Sequence, residues 1–252
     1  MNDFRFDSPV ATVCVPSPNH GDRRDGKHPD MLLLHYTGMP EAEAALAWLC
    51  SADAQVSAHY LVFEDGRTVQ LVPEAQRAWH AGAASWAGDT DINSASIGIE
   101  IANPGHEHGY PDFPDPQIAA VVALCSDIVA RRSIRAARVL AHSDVSPRRK
   151  EDPGEKFPWR TLHAAGVGHW VEPPPIESAG KTLTPGDHGQ NVRALQVELR
   201  RYGYGIEETG GYDDLTIAVV RAFQRHFRPE RIDGLADPST VATLKRLVEK
   251  RP

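Results

Sequence analysis

The stretch "VEPPPIESAGKTLTPGDHG", residues 171–189, divides the chain into two parts that call for different architectures. It is rich in Pro, Gly and Ser and has no apolar period, so it reads as a linker. Before it, short β-prone runs alternate with helix-forming segments. After it, only a helical period appears. The two patterns bury side chains at periods of about 2 and 3.6 residues and do not extend one another. Charge shifts at the same place: residues 1–179 carry 15 Lys and Arg against 24 Asp and Glu, and residues 180–252 carry 12 against 10. The expected division is a first domain at 1–170, a linker at 171–185 and a small helical domain at 186–252.

In the first part, "MLLLHYTG" (31–38) is a short apolar run ended by a turn glycine and reads as a buried strand. "EAEAALAWLCS" (41–51) is rich in helix formers. "HYLVFEDGRTVQLV" (59–72) is two β-prone runs joined at Asp65-Gly66, a hairpin signal. "SIGIEIAN" (96–103) alternates like a strand, with Glu100 read as breaking the pattern. "PQIAAVVALCSDIVARR" (116–132) reads as a long helix with Pro near its start, and "ARVLAH" (137–142) as a further strand ending on His142. This order predicts an α/β domain: a central mixed β-sheet flanked by helices.

Beyond the linker, Val192, Leu195, Leu199 and Tyr202 fall at helical spacing. So do Leu215, Ala218, Val219, Ala222, Phe223 and Phe227, and then Val241, Leu244 and Leu247. Three short helices make a small bundle. "YDDLTIAVV" faintly echoes "LADPSTVATL", which suggests a duplicated unit.

The formal charge of −7 argues against a nucleic-acid partner. No run of eighteen apolar residues is present, so no transmembrane segment is expected. The N-terminus "MNDFRFDSPV" lacks the basic-then-apolar pattern of a secretory signal. The chain as written is therefore expected in the cytoplasm, or in the periplasm or at the outer membrane if it is a mature form. Cys14, Cys50 and Cys125 form no disulfide framework and no CxxC knuckle, and the last two read as buried thiols.

A catalytic zinc needs three protein ligands held by stiff backbone and one open position. His35 at the end of the first strand, His142 at the end of the last, and Asp152 in the Pro-Gly turn beyond are a suitable set of two imidazoles and one carboxylate. Glu100, flanked by isoleucines, is costly to bury without a partner or a task, and suits a general base. Lys150 suits stabilisation of an oxyanion. Together these roles describe amide hydrolysis. The residues alone leave plainer readings open: Glu100 at a half-exposed edge, Lys150 solvated within "RRK", and Asp152 as a turn residue.

The segments "LLLHYTG", "SAHYLVFEDGRTVQLVPE", "AWHAG", "SIGIEIAN" and "LAHSDVSPRRKEDPG", in order over residues 30–165, resemble the type 2 N-acetylmuramoyl-L-alanine amidases. That family holds the AmiD- and AmpD-like amidases and the peptidoglycan recognition proteins. The resemblance implies a central mixed sheet, Zn2+ held by His35, His142 and Asp152, Glu100 as base and Lys150 as oxyanion-stabilising cation. The implied substrate is peptidoglycan or a muropeptide, cut between the lactyl group of N-acetylmuramic acid and L-alanine. His80 in "AWHAG" is expected to line the cleft or to serve structure. Trp79 and Trp86 are candidates for stacking on substrate, with a core role as the plainer alternative, and Tyr36 is expected to pack on the face opposite His35. A recognition protein of the same fold that binds without cleaving is the alternative function. "PGDHGQNVRALQVELRRYGY", "GGYDDLTIAVVRAFQRHF" and "DGLADPSTVATLKRL" resemble the type 1 peptidoglycan-binding domain, a three-helix module. Its first turn departs from Asp-Gly and reads Gly-Gly-Tyr-Asp. As a tethered module it would raise the local concentration of amidase near polymer, and a chain ending near residue 175 is expected to keep cleaving soluble muropeptide.

Overall fold

The run MLLLHY is the axis of a six-stranded mixed sheet, seen in a computed structural model that describes residues 6–176 and 179–251. Residues 177 and 178 of the expected linker, and 1–5 and 252 at the ends of the expected domains, lie outside the described residues. Along the chain come β1 (Val13–Cys14), β2 (His20–Asp22), β3 (Met31–Tyr36), α1 (Ala42–Leu49), β4 (Tyr60–Val62), β5 (Thr68–Gln70) and β6 (Gln76–Ala78). Then follow α2 (Ile92–Ala95), β7 (Ser96–Ile101), α3 (Asp115–Arg132), β8 (Val139–Ala141), α4 (His142–Val145) and α5 (Trp159–Ala164). The last three elements are α6 (Gln190–Tyr202), α7 (Asp214–Phe227) and α8 (Pro238–Glu249). The large sheet has the order β1-β5-β4-β7-β3-β8, in which only the β4–β5 hairpin is antiparallel, and β2 and β6 form a separate ribbon.

The sheet is buried on both faces. Leu32 and Leu34 of β3, Ile97, Ile99 and Ile101 of β7 and Val139 of β8 point to one side, against Val121, Leu124 and Ile128 of α3. Met31, Leu33 and Leu140 point to the other. In β7 the alternation is intact: the isoleucines take the α3 face, while Ser96, Gly98 and Glu100 take the opposite one. Glu100 therefore does not break the strand's pattern but belongs to its second face. The strand expected over 137–142 is shorter, because Ala136–Arg138 is a 3₁₀ turn and His142 opens α4 instead of ending β8.

The three C-terminal helices repeat one hydrogen-bonded unit. Asp213 accepts from the Thr216 amide at 2.8 Å at the start of α7, and Asp237 from the Thr240 amide at 2.7 Å at the start of α8. Gln196 Oε1 accepts from the Gly210 amide and its Nε2 donates to Gly211 O and Thr216 Oγ1. Gln224 does the same with the Gly234 amide, Leu235 O and Thr240 Oγ1. Thr209 stands in the first unit where Asp233 stands in the second, so the Gly-Gly-Tyr-Asp departure keeps the turn.

This bundle is not held at a distance from the sheet. One continuous apolar cluster runs from Met31, Leu33, Trp86, Leu140 and Val145 through Val171 and Leu183 to Leu199, Tyr204, Val220 and Phe227. The segment expected to be a linker is fastened as well: Ser239 Oγ donates to Pro174 O at 2.6 Å and Arg246 to Glu172 O at 2.9 Å. A loose tether is replaced, over the described residues, by a strap along a shared core. Among the described residues no helix is long and apolar enough to cross a membrane.

Candidate active site

The parallel register of β3 and β7 pairs His35 with Glu100, so both side chains emerge on the sheet face that the C-terminal helices cover. They stand at the C-terminal ends of parallel strands, where α/β sheets open crevices. His142 reaches the same place from the first turn of α4, directly after β8. Asp152 is tied to that turn through its carbonyl, which accepts from the Ser143 amide at 3.0 Å. His35, His142 and Asp152 are all buried.

Their donor atoms converge. His35 Nδ1 lies 2.9 Å from His142 Nδ1, and each lies 3.0 Å from Asp152 Oδ2. The outer nitrogens show which atoms carry protons. His142 Nε2 donates to Ala81 O at 3.0 Å, leaving Nδ1 as a bare lone pair. Ser96 Oγ donates to Ile92 O at 2.6 Å and so accepts from His80 Nε2 at 3.3 Å. His80 Nδ1 then accepts from His35 Nε2 at 3.1 Å, and His35 Nδ1 is bare too. Burial lowers the His35 pKa to about 4, helped by His142 and opposed by Asp152. Burial also holds His80 well below the ordinary imidazole value, with His35 acting the same way. Burial alone would raise the Asp152 pKa, but a proton carried by His142 or His35 outweighs burial and lowers it. With these tautomers two imidazole lone pairs and a carboxylate oxygen converge on one point, an arrangement that a cation relieves. Tetrahedral zinc with bonds of about 2.0–2.1 Å sets its ligands about 3.3 Å apart, so these donors need open by only a few tenths of an ångström. The cluster fits a metal ion.

Glu100 lines the same cleft, and its Oε2 is buried with no hydrogen-bond partner among the described residues. Burial raises its pKa well above the ordinary carboxylate value, Asp152 adds to this, and Lys150 opposes it. A carboxyl group so tuned suits proton transfer near neutral pH. Lys150 also lines the cleft, at the turn that leads from α4 to Asp152.

The cleft holds about 990 Å³. Trp79 lines it, where the plainer expectation was a core role. His80 lines it and is also the hydrogen-bond partner that sets the His35 tautomer, so both expectations for this residue describe it. The Gly98 position makes room for that ring: a Cβ there would lie 2.5 Å from His80. Trp86 does not reach the cleft. It is fully buried against Tyr202 and Tyr204, so stacking on a ligand is excluded and the core alternative applies. Tyr36 packs against the sheet face opposite His35, as expected, and also lines the cleft, with its hydroxyl 3.1 Å from His106 Nδ1. Sequence reasoning missed Trp48, an exposed tryptophan on α1 beside the cleft, and Arg221 and Arg225, which α7 contributes from the C-terminal bundle. An aromatic on the solvent side of an amphipathic helix was the available signal for Trp48; for the arginines there was none.

A mixed sheet carrying such a three-donor cluster and an unpaired buried carboxylate in one cleft defines a hydrolase whose site can hold a metal ion. The chain belongs to the N-acetylmuramoyl-L-alanine amidase family, whose model matches residues 25–155, and a peptidoglycan binding domain model matches residues 188–244. N-acetylmuramoyl-L-alanine amidase AmiD of Escherichia coli K12 is 38% identical over 236 residues, 87% of this chain and 82% of that one. The 1,6-anhydro-N-acetylmuramyl-L-alanine amidase AmpD of Enterobacter cloacae is 32% identical over 167 residues, 60% of this chain and 87% of its own. Among solved structures, AmiD of E. coli in complex with anhydro-N-acetylmuramic acid-L-Ala-D-gamma-Glu-L-Lys is similar, with a TM-score of 0.76 at 36% identity over 90% of this chain and 91% of that one. AmpDh3 of Pseudomonas aeruginosa matches with a TM-score of 0.73 at 31% identity over 100% of this chain and 97% of its own.

Proposed function

We propose that this amidase is zinc-dependent and hydrolyses the amide between the lactyl group of N-acetylmuramic acid and the L-alanine of the stem peptide, in peptidoglycan or muropeptides. The observation that carries the reading is the convergence of three ligand atoms, His35 Nδ1, His142 Nδ1 and Asp152 Oδ2, in the cleft that Glu100 lines. These three residues would hold the ion. When bound, zinc supplies Lewis-acid polarisation of a carbonyl and lowers the pKa of water towards about 7.

The protein's own groups do the rest. Glu100 takes the proton of the water that attacks the lactyl carbonyl, and the C–O bond forms. Lys150 neutralises the negative charge that gathers on the carbonyl oxygen. Glu100 then passes its proton to the alanine nitrogen as the C–N bond breaks, since an unprotonated amine leaves poorly. The products are a muramyl carboxylate and a peptide with a free L-alanine amine. His80 acts behind His35 by fixing which nitrogen faces the site. Trp48 and Trp79 offer the cleft's aromatic side to sugar or peptide. AmiD and AmpDh3 have been seen with anhydromuramyl peptides, which supports muropeptides as the substrate class here. Residues 1–170 form the catalytic unit in this reading and 186–252 the unit that binds peptidoglycan.

The test is digestion of a muramyl peptide by the zinc-loaded protein, followed by mass spectrometry. A peptide that begins with free L-Ala, beside an intact muramyl sugar, is the expected pair. A cut within the stem peptide would overturn the reading.

A further inference from the structure

The turn that presents His142 is held from the C-terminal bundle. Asp144, two residues on, is fully buried, and its carboxylate accepts three hydrogen bonds. One comes from the Ala141 amide at 2.9 Å, which ties the side chain to the junction of β8 and α4. The others come from outside the catalytic unit: Tyr204 Oη donates to Oδ1 at 2.6 Å, and His226 Nδ1 to Oδ2 at 2.6 Å. His226 has little freedom, because its ring is stacked between Trp159 and Phe227 with centroids 3.8 Å away on each side. Tyr204 is held against Trp86, which follows the segment whose Ala81 carbonyl fixes His142 Nε2. The helix that supplies His226 also supplies Arg221 and Arg225 to the wall of the cleft.

We propose that Tyr204 and His226 of the C-terminal bundle are positioning residues for the metal centre, acting through the Asp144 carboxylate on the turn that aims His142. On this view the bundle is a working part of the amidase and not only an attachment to the wall. The inference rests on the reading of His142 as a metal ligand. Buried carboxylates keep their geometry when their donors are fixed, and partners outside the ligand set of a metal site change affinity by 10–100-fold. The Asp144 bonds act one link further out, so about a tenfold effect is expected.

The experiment measures zinc dissociation constants by chelator competition, and the visible spectrum of the cobalt-substituted protein, for four full-length chains. These are the wild type, Tyr204→Phe, the double variant Tyr204→Phe/His226→Phe, and Val192→Ala. The two phenylalanines keep ring packing and delete the donors. Val192→Ala loosens the shared core from α6, which makes none of the bonds to Asp144. The expected result is zinc binding about threefold weaker in Tyr204→Phe and about tenfold weaker in the double variant, with a shifted cobalt band, and wild-type values for Val192→Ala. Double-variant affinity within twofold of wild type, with an unchanged band, would overturn the proposal, as would equal weakening in Val192→Ala. If the double variant does not fold, Tyr204→Phe decides alone, since it removes a single oxygen. A wild-type protein that takes up no zinc would overturn the reading of the site, and this proposal with it.

Discussion

Replacing Trp86 with alanine tests whether sheet and bundle are one cooperative body. The indole is fully buried, with Tyr202 and Tyr204 edge-on at centroid distances of 6.0 and 4.9 Å. Gly203 lets it in: a Cβ there would stand 2.5 Å from the indole ring. Cutting a buried Trp to Ala costs about 3–5 kcal/mol. Each edge-to-face pair adds about 0.5–1.5 kcal/mol. Against this, the indole Nε1 is buried with no partner among the described residues, and removing an unpaired donor offsets about 1–3 kcal/mol. The net loss is about 4 kcal/mol, or roughly 10 °C in Tm for a chain of this size. Trp86→Phe keeps a ring and drops the unpaired donor, so it should lose only about 1 kcal/mol. The assay is urea unfolding followed in parallel by circular dichroism and by loss of amidase activity. Both probes should shift together in one transition. A loss below about 1 kcal/mol for Trp86→Ala, or two transitions of which only one moves, would refute the shared-core argument. By the same reasoning a chain ending near residue 175 would expose Met31, Leu33, Trp86, Leu140 and Val145 and leave Asp144 with only the Ala141 amide, so the activity expected of that fragment should be largely lost.

Four further outcomes follow from the site and its surroundings. Glu100→Gln should keep zinc and substrate binding while lowering kcat by about 10²–10⁴-fold, and turnover near wild type in steady-state kinetics would remove Glu100 from proton transfer. Lys150→Ala should lower kcat by about 10²-fold with little change in zinc content, which kinetics and metal analysis check together. His142→Ala should lose the metal and with it the dependence of Tm on added zinc, measured by scanning calorimetry with and without chelator. Glu74 is fully buried; burial alone would push its pKa up, but hydrogen bonds from Arg131, Tyr60 and Arg132 hold it at about 2. Because the folded pKa lies below the ordinary 4.5, the stabilisation is complete above pH 4.5 and is lost as pH falls towards 2, by about 3 kcal/mol in all. Urea titrations of wild type and Glu74→Gln at several pH values should show their stability difference shrink over that window; a constant difference would contradict the assignment.

Much of the site is written in local pattern. His35 ends an apolar run cut short by Thr37-Gly38, and the residues that stop a buried strand are also those that reach a crevice. Glu100 stands out as a charge among isoleucines, but it does not break the strand: the alternation Ser96-Ile97-Gly98-Ile99-Glu100-Ile101 is that of a strand with two different faces, and which face is polar depends on β3 and His80. His142 follows the strand but opens α4 instead of ending β8, because α4 forms where Asp144 satisfies the Ala141 amide, and Asp144 is itself held by Tyr204 and His226, 60 and 82 residues away. Trp86 was ambiguous for the same reason, since its partners lie beyond the apparent linker. Composition marked residues 171–189 as a break in periodicity, which they are. It did not show that Val171 and Leu183 continue the core across it.

The most direct test is hydrolysis of a defined muramyl-L-Ala peptide in H2(18)O with zinc-loaded and chelator-stripped protein, read by mass spectrometry of both products. Attack of water on the lactyl carbonyl puts the heavy oxygen into the muramyl carboxylate and leaves the L-alanine peptide unlabelled, with turnover present only when zinc is restored. Label in the peptide fragment, or equal turnover without metal, would contradict the account.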